Sequence, residues 1–129
     1  MTLRLDSITF DCADVLRVAR FWADALGWQL HPESEPDGAR VVRAPSEQSD
    51  SLYFQPVPES KVVKNRVHLD LRATGSMAAE VERLESLGAT IVARVDEEGS
   101  FWTVMQDPEG NELCVLRGPE DGWPGYAEA

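Results

Sequence analysis

The stretches ADALGW (residues 23–28) and LESLGA (residues 84–89) each close a run of helical spacing on Leu-Gly, and their leucines lie 87 − 26 = 61 residues apart. The same offset relates Leu16 to Met77, Ala23 to Leu84, Leu30 to Ile91, Gly38 to Gly99 and Leu52 to Leu113, with no gap between them. Doubling 61 gives 122, nearly the whole chain of 129 residues. Self-similarity at a fixed period outranks any single motif in deciding a fold, because it says that one supersecondary unit occurs twice.

Each half reads in the same order. LDSITFD (5–11) alternates as a strand, with Ile8 and Phe10 on one face and Ser7 and Thr9 on the other. Asp14 can cap a helix over VLRVARFWADAL, whose spacing runs through Leu16, Ala19, Ala23 and Leu26, and Gly27 suits its end. WQLHPE and ARVVRA read as strands around the turn EPDGA, and DSLYFQPV as a fourth strand ended by prolines. In the second half RVHLDLRA is a strand and SMAAEVERLESLG a helix opened by Ser76 or Thr74. ATIVARV, SFWTVMQ and ELCVLRG follow as strands, with the turn DPEGN before the last. The fold class is therefore α+β, built from two tandem βαβββ modules. The expected layout is one domain over residues 1–118, with modules at 3–57 and 64–117 joined by PVPESKVVKN. The acidic, Gly/Pro-rich segment 119–129 reads as a loosely held tail.

One helix covers one face of the strands in each module, so the other face is free to be polar. Two modules then suggest a curved mixed sheet, a cup with helices on its convex side. VHLDL (67–71) puts His68 and Asp70 on one strand face and Val67, Leu69 and Leu71 on the other. His68 and Asp70 are expected to line the cup.

The net charge of −11, from 12 basic and 23 acidic residues, argues against a nucleic-acid backbone or an anionic membrane as partner. It serves solubility and would suit a cationic ligand. Cys12 and Cys114 stand apart from any metal-knuckle spacing. No apolar run approaches the length of a membrane span and no leader pattern opens the chain, so a cytoplasmic protein with reduced thiols is expected.

FWADALGW in the first helix, VHLDL opening the second half and DPEGNELCVL near the end resemble the glyoxalase/bleomycin-resistance/extradiol-dioxygenase superfamily, also called vicinal oxygen chelate. The likeness is to its small, single-domain, glyoxalase-like members and covers residues 3 to 117. The resemblance implies a divalent metal (zinc, nickel, manganese or iron) at the floor of the cup. Its ligands would come from the first and last strand of each module, and the protein would be a homodimer. His68 and Glu112 fall on two ligand positions. The offset places Ser7 (68 − 61) and Ser51 (112 − 61) on the other two, where neutral hydroxyls bind metal weakly.

Two functions follow. In the first, the cup binds a small organic molecule, cationic or aromatic, with no cofactor, as drug-sequestering members of the superfamily do. Its walls and floor would come from Ser7, Thr9, Ser51, Tyr53, Gln55, His68, Asp70, Trp102, Glu112 and Cys114. In the second, the protein is a glyoxalase-type lyase or isomerase in which His68 and Glu112 hold the metal or move the proton. The missing ligands at Ser7 and Ser51 favour the first. The plain alternatives are a hydrogen-bonded strand histidine, a turn-fixing Glu112, core packing for Trp102 and a small apolar filler for Cys114.

Overall fold

Asp14, two residues beyond the first strand, starts the first helix: its carboxylate accepts the backbone N–H of Arg17 at 3.3 Å, which satisfies an open donor of the first turn. The structure, a computed structural model, describes residues 1–44 and 50–126. The chain divides into two units, Met1–Val62 and Val63–Ala129. Each is one βαβββ module with one helix against a mixed four-stranded sheet.

Unit 1 contains β1 (Ile8–Cys12), α1 (Val15–Leu26), β2 (Gln29–Leu30), β3 (Ala39–Val42) and β4 (Ser51–Pro56), in the sheet order β1-β4-β3-β2. Gly27 stops α1 with φ 68°, a left-handed backbone that costs glycine little. The buried stripe of α1 is Val15, Val18, Ala19, Trp22 and Ala23, joined by Phe21. It is turned from the expected one, so Leu16 and Leu26 are only half-buried. Trp22 turns it: fully buried, its ring centroid lies 5.0 Å from that of Phe10, which stacks on Phe54 at 5.1 Å. Removing so large a buried side chain costs about 3–5 kcal/mol, so this aromatic trio anchors the unit. β2 is shorter than expected because the chain leaves the ladder into a turn around Pro32, which has no N–H to give.

Unit 2 contains β5 (Leu69–Arg72), α2 (Met77–Ser86), β6 (Thr90–Glu97), β7 (Ser100–Gln106) and β8 (Glu112–Leu116), in the order β5-β8-β7-β6. Ser76, not Thr74, caps α2, accepting the N–H of Ala79 at 3.2 Å. Val81 and Leu84 of the helix are buried with Met105, Leu113 and Val115 of the sheet. Glu98 and Gly99, at φ 52° and 82°, make the tight β6–β7 turn. Val67 is 73% exposed rather than facing a core, because pairing with β8 begins only at Leu69.

The strand registers qualify the repeat. Ile8 pairs with Leu52 and Leu69 with Leu113, so both outer pairs keep the offset of 61 (69 − 8 and 113 − 52). Leu52 faces Val41 across β3 while Leu113 faces Met105 across β7, an offset of 105 − 41 = 64. The two modules are therefore not gapless: three residues are gained by β7 and returned in the turn after it.

The tail is held, against expectation, through residue 126; residues 127–129 lie outside the described ones. A short 3-10 helix, Pro119–Asp121, brings the Asp121 carboxylate to the N–H groups of Gly118 and Met77 at 2.9 and 2.6 Å. That puts a negative charge at the start of α2, where the helix dipole favours it. Trp123 and Tyr126 then cover Arg72, whose guanidinium carbon is 3.9 Å from the Trp123 ring centroid. Among the described residues, no helix is long and apolar enough to cross a membrane.

Asp121→Ala should destabilise the protein by about 1 kcal/mol, as other lost caps do, and Trp123→Ala by about 0.5–2 kcal/mol through the lost cation–π contact. Urea unfolding midpoints of the two variants check both. Unchanged midpoints would mean that the tail contributes nothing to unit 2.

Candidate functional site

β5 and β8 lie side by side and parallel, so residues far apart in sequence share one face. Asp70 pairs with Cys114, Cys114 with Val104, Leu116 with Trp102, and Glu112 with Gln106. The opposite face, carrying Leu69, Leu71, Leu113, Val115, Thr103 and Met105, belongs to the helix side. On the open face lies a cavity of about 360 Å³ lined by His68, Asp70, Trp102, Glu112 and Cys114, together with Lys64, Val104 and Leu116. The volume suits a small molecule.

His68 stands one residue before β5, and its Nδ1 lies 2.9 Å from Asp70 Oδ1. Both side chains are well exposed, so the pair adds little to stability. Its effect is orientation: the contact turns Nδ1 of the ring toward the carboxylate. Asp70 also acts on Cys114, its neighbour across the strand pair. Cys114 is buried, and its thiol is pushed from 9.0 up to about 11 by burial first, then by the charge of Asp70 and a hydrogen bond to it, with Lys64 pulling weakly the other way. Cys114 thus stays a neutral thiol at pH 7 and a poor nucleophile. Donor atoms of His68, Asp70 and Cys114 all lie within 4.8 Å of one another.

Glu112 is 8% exposed, and its Oε2 accepts the N–H of Asn65 at 3.2 Å. The turn before it is built as a block. Asp107, buried, accepts the N–H groups of Glu109 and Asn111 at 2.8 and 2.9 Å and the Asn111 amide at 2.9 Å. Asn65 in turn donates to Asn111 Oδ1 at 3.1 Å. The left-handed residue of this turn is Gly110, φ 91°, rather than Asn111, whose side chain is needed for bonding. Glu112 enters β8 from this fixed point.

Unit 1 places its sequence-predicted residues differently. Ser51 is buried: its hydroxyl accepts from Arg40 Nη1 at 2.9 Å and donates to the Asp6 carbonyl at 3.3 Å. Tyr53 lines a cavity of about 350 Å³ with Arg40 and His31. Ser7 is half-buried, Thr9 exposed, and Gln55 exposed and bonded to Asp11 at 2.8 Å; none of them lines that cavity. Sequence reasoning missed Lys64, Arg40 and His31. Arg40 was findable, since it alternates with Ala39 and Val41 and so shares the open face of β3.

The raised thiol has a measurable effect. An unfolded Cys114 ionises near 9.0 and the folded one near 11, so the unfolded chain loses its proton first as pH rises. Stability from this group is whole below pH 9.0 and is lost as pH climbs through 11. The urea midpoint should therefore fall more steeply over that range in the native protein than in Cys114→Ala. Native Cys114 should also resist iodoacetamide at pH 8.

Residues 7–116 match the family model described as a glyoxalase-like domain. No curated protein matches the chain. Among solved structures, the genomically encoded fosfomycin resistance protein of Listeria monocytogenes, in a variant complexed with manganese(II) and 1S,2S-dihydroxypropylphosphonic acid, is similar with a TM-score of 0.72 at 13% identity, over 92% of each chain. A glyoxalase/bleomycin resistance protein/dioxygenase family enzyme from Burkholderia phytofirmans PsJN gives 0.67 at 15% identity, over 85% of this chain and 94% of that one. The bleomycin-binding protein of bleomycin-producing Streptomyces verticillus, complexed with copper(II)-bleomycin, gives 0.59 at 20% identity, over 92% of this chain and 99% of that one. At these identities the likeness is one of fold. With two βαβββ modules in order and a family match over residues 7–116, the chain belongs to the glyoxalase-like domain family of the glyoxalase/bleomycin resistance/dioxygenase (vicinal oxygen chelate) superfamily.

Proposed function

We propose that the protein binds a small organic cation with an apolar or aromatic body in the cavity of unit 2. The observation that carries this reading is the pairing of wall and floor. Trp102, Val104 and Leu116 offer an apolar and aromatic surface, and the carboxylates of Asp70 and Glu112 stand on the same lining with one lysine against them. A positive centre gains from ring and carboxylate together, more so where water is partly excluded. The structural neighbour described as a bleomycin-binding protein, complexed with copper(II)-bleomycin, supports small-molecule binding by this fold.

The superfamily's divalent metal does not fit the residues at its four positions. His68 and Glu112 are usable ligands, but their counterparts are Ser7 and Ser51, and the Ser51 hydroxyl is already held by the Arg40 guanidinium at 2.9 Å. A fixed cation on a neutral ligand opposes a second cation there. A metal-dependent lyase or isomerase is a second reading because of one observation, the close set of His68, Asp70 and Cys114, whose nitrogen, oxygen and sulfur donors suit a zinc-class ion.

Benzyltrimethylammonium, titrated in the presence of EDTA, should quench tryptophan fluorescence. Asp70→Asn and Trp102→Leu should each weaken its binding about tenfold, the equivalent of about 1.4 kcal/mol. No binding by the native protein would sink the reading. A stoichiometric zinc ion lost in both His68→Ala and Cys114→Ala would favour the second one. Sedimentation of the same samples tests the homodimer that the family resemblance implies.

A further inference from the structure

Unit 1 has a cavity of its own, with chemistry of the opposite sense. It measures about 350 Å³, and His31, Glu33, Ser34, Gly38, Arg40 and Tyr53 lie on its wall. The segment HPESEPDGAR (31–40) builds it from internal bonds. The N–H of His31 donates to the Arg40 carbonyl at 2.8 Å, and that of Ser34 to the His31 carbonyl at 3.0 Å. Glu35 and Gly38 exchange backbone bonds at 2.9 and 3.1 Å. The Ser34 hydroxyl accepts the N–H of Arg40 at 3.1 Å. The backbone of the loop is thus largely satisfied within itself, which leaves side-chain donors for the cavity.

Three such donors gather there. Arg40 gives one guanidinium N–H to Ser51 at 2.9 Å, its carbon lies 5.4 Å from the Tyr53 ring centroid, and no carboxylate among the described residues forms an ion pair with it. A guanidinium carries five N–H donors, so several stay available. His31 accepts the Glu33 N–H on Nδ1 at 3.1 Å, so a neutral ring carries its proton on Nε2 and donates from there. The Tyr53 hydroxyl is set by Gly38: a Cβ at that position would stand 2.5 Å from it, so any other residue would push the hydroxyl away.

We propose that this cavity binds the carboxylate of a small organic acid, with Arg40 as its anchor and His31 Nε2–H and Tyr53 O–H as further donors. A guanidinium fork matches a carboxylate in shape and charge. The one acidic group on the wall among the described residues, Glu33, is exposed and does not cancel the charge of Arg40. A monoanion is favoured over a dianion by that same carboxylate and by the net charge of −11. Register places Arg40 beside Tyr53 in unit 1 as Val104 lies beside Cys114 in unit 2, so equivalent positions carry a base in one module and an apolar residue in the other.

The site lies in the other unit from the organic-cation cavity, so each can fail alone. Benzoate binding is followed by calorimetry and by amide shifts of residues 31–40. The native protein should bind benzoate, Arg40→Met should weaken it at least tenfold, and Arg40→Lys, which keeps the charge and loses the fork, should fall between. Tyr53→Phe should weaken it a few-fold. Glu33→Gln should tighten it, because a repelling charge is removed. Benzyltrimethylammonium binding in Arg40→Met should be unchanged, and the dispersion of the variant's amide spectrum reports that unit 1 is folded. The proposal is overturned if the native protein does not bind benzoate, if folded Arg40→Met binds it equally, or if Glu33→Gln weakens it.

Discussion

The parallel pairing of the first and last strand of each module is the constraint from which the rest follows. Parallel neighbours cannot be joined by a tight turn, so the chain must leave the sheet, run a helix across one face and return through two further strands. The helix takes one face for the core. The other face then combines residues from both ends of the module: Asp70 beside Cys114 in unit 2, Thr9 beside Tyr53 in unit 1. No local motif could place these groups together, since they meet only because Leu69 pairs with Leu113 and Ile8 with Leu52.

The duplicated scaffold has been filled with unlike chemistry. Glu112 and Ser51 occupy equivalent places at the start of the last strand, as do Cys114 and Tyr53, and Asp70 and Thr9. In unit 2 these choices concentrate carboxylates around an imidazole, under a tryptophan wall. In unit 1 they leave a hydroxyl held by a guanidinium. Within unit 1, the place that holds a carboxylate in unit 2 holds a hydroxyl that already accepts from a guanidinium, Arg40.

Much of this was legible in the residues. Asp14, Ser76 and Gly27 act locally, so the caps they form could be read from sequence, and strand alternation assigned His68, Asp70, Glu112 and Cys114 to one face. What escaped depends on distance. The three-residue shift between β3 and β7 is invisible because matched leucines on either side still align at 61. Val67 looks like a core residue until the register shows that pairing starts at Leu69. The thiol's role follows from Asp70 across a strand pair, and the tail's order from Arg72, which lies far from Trp123 in the chain. Arg40 and His31 were passed over because they flank a segment that reads only as a turn.

The clip formed by Asp121, Trp123 and Tyr126 bears on how the molecule comes into being. α2 receives its first-turn carboxylate, and Arg72 its aromatic cover, from residues that follow every strand of the unit. β5 also waits for β8 before it has a partner in the sheet. A growing chain can close unit 1 while synthesis continues, since its strands and helix are all N-terminal to residue 57. Unit 2 completes its helix start only once the residues beyond β8 are in place, so the half that carries the acidic cavity closes later than unit 1.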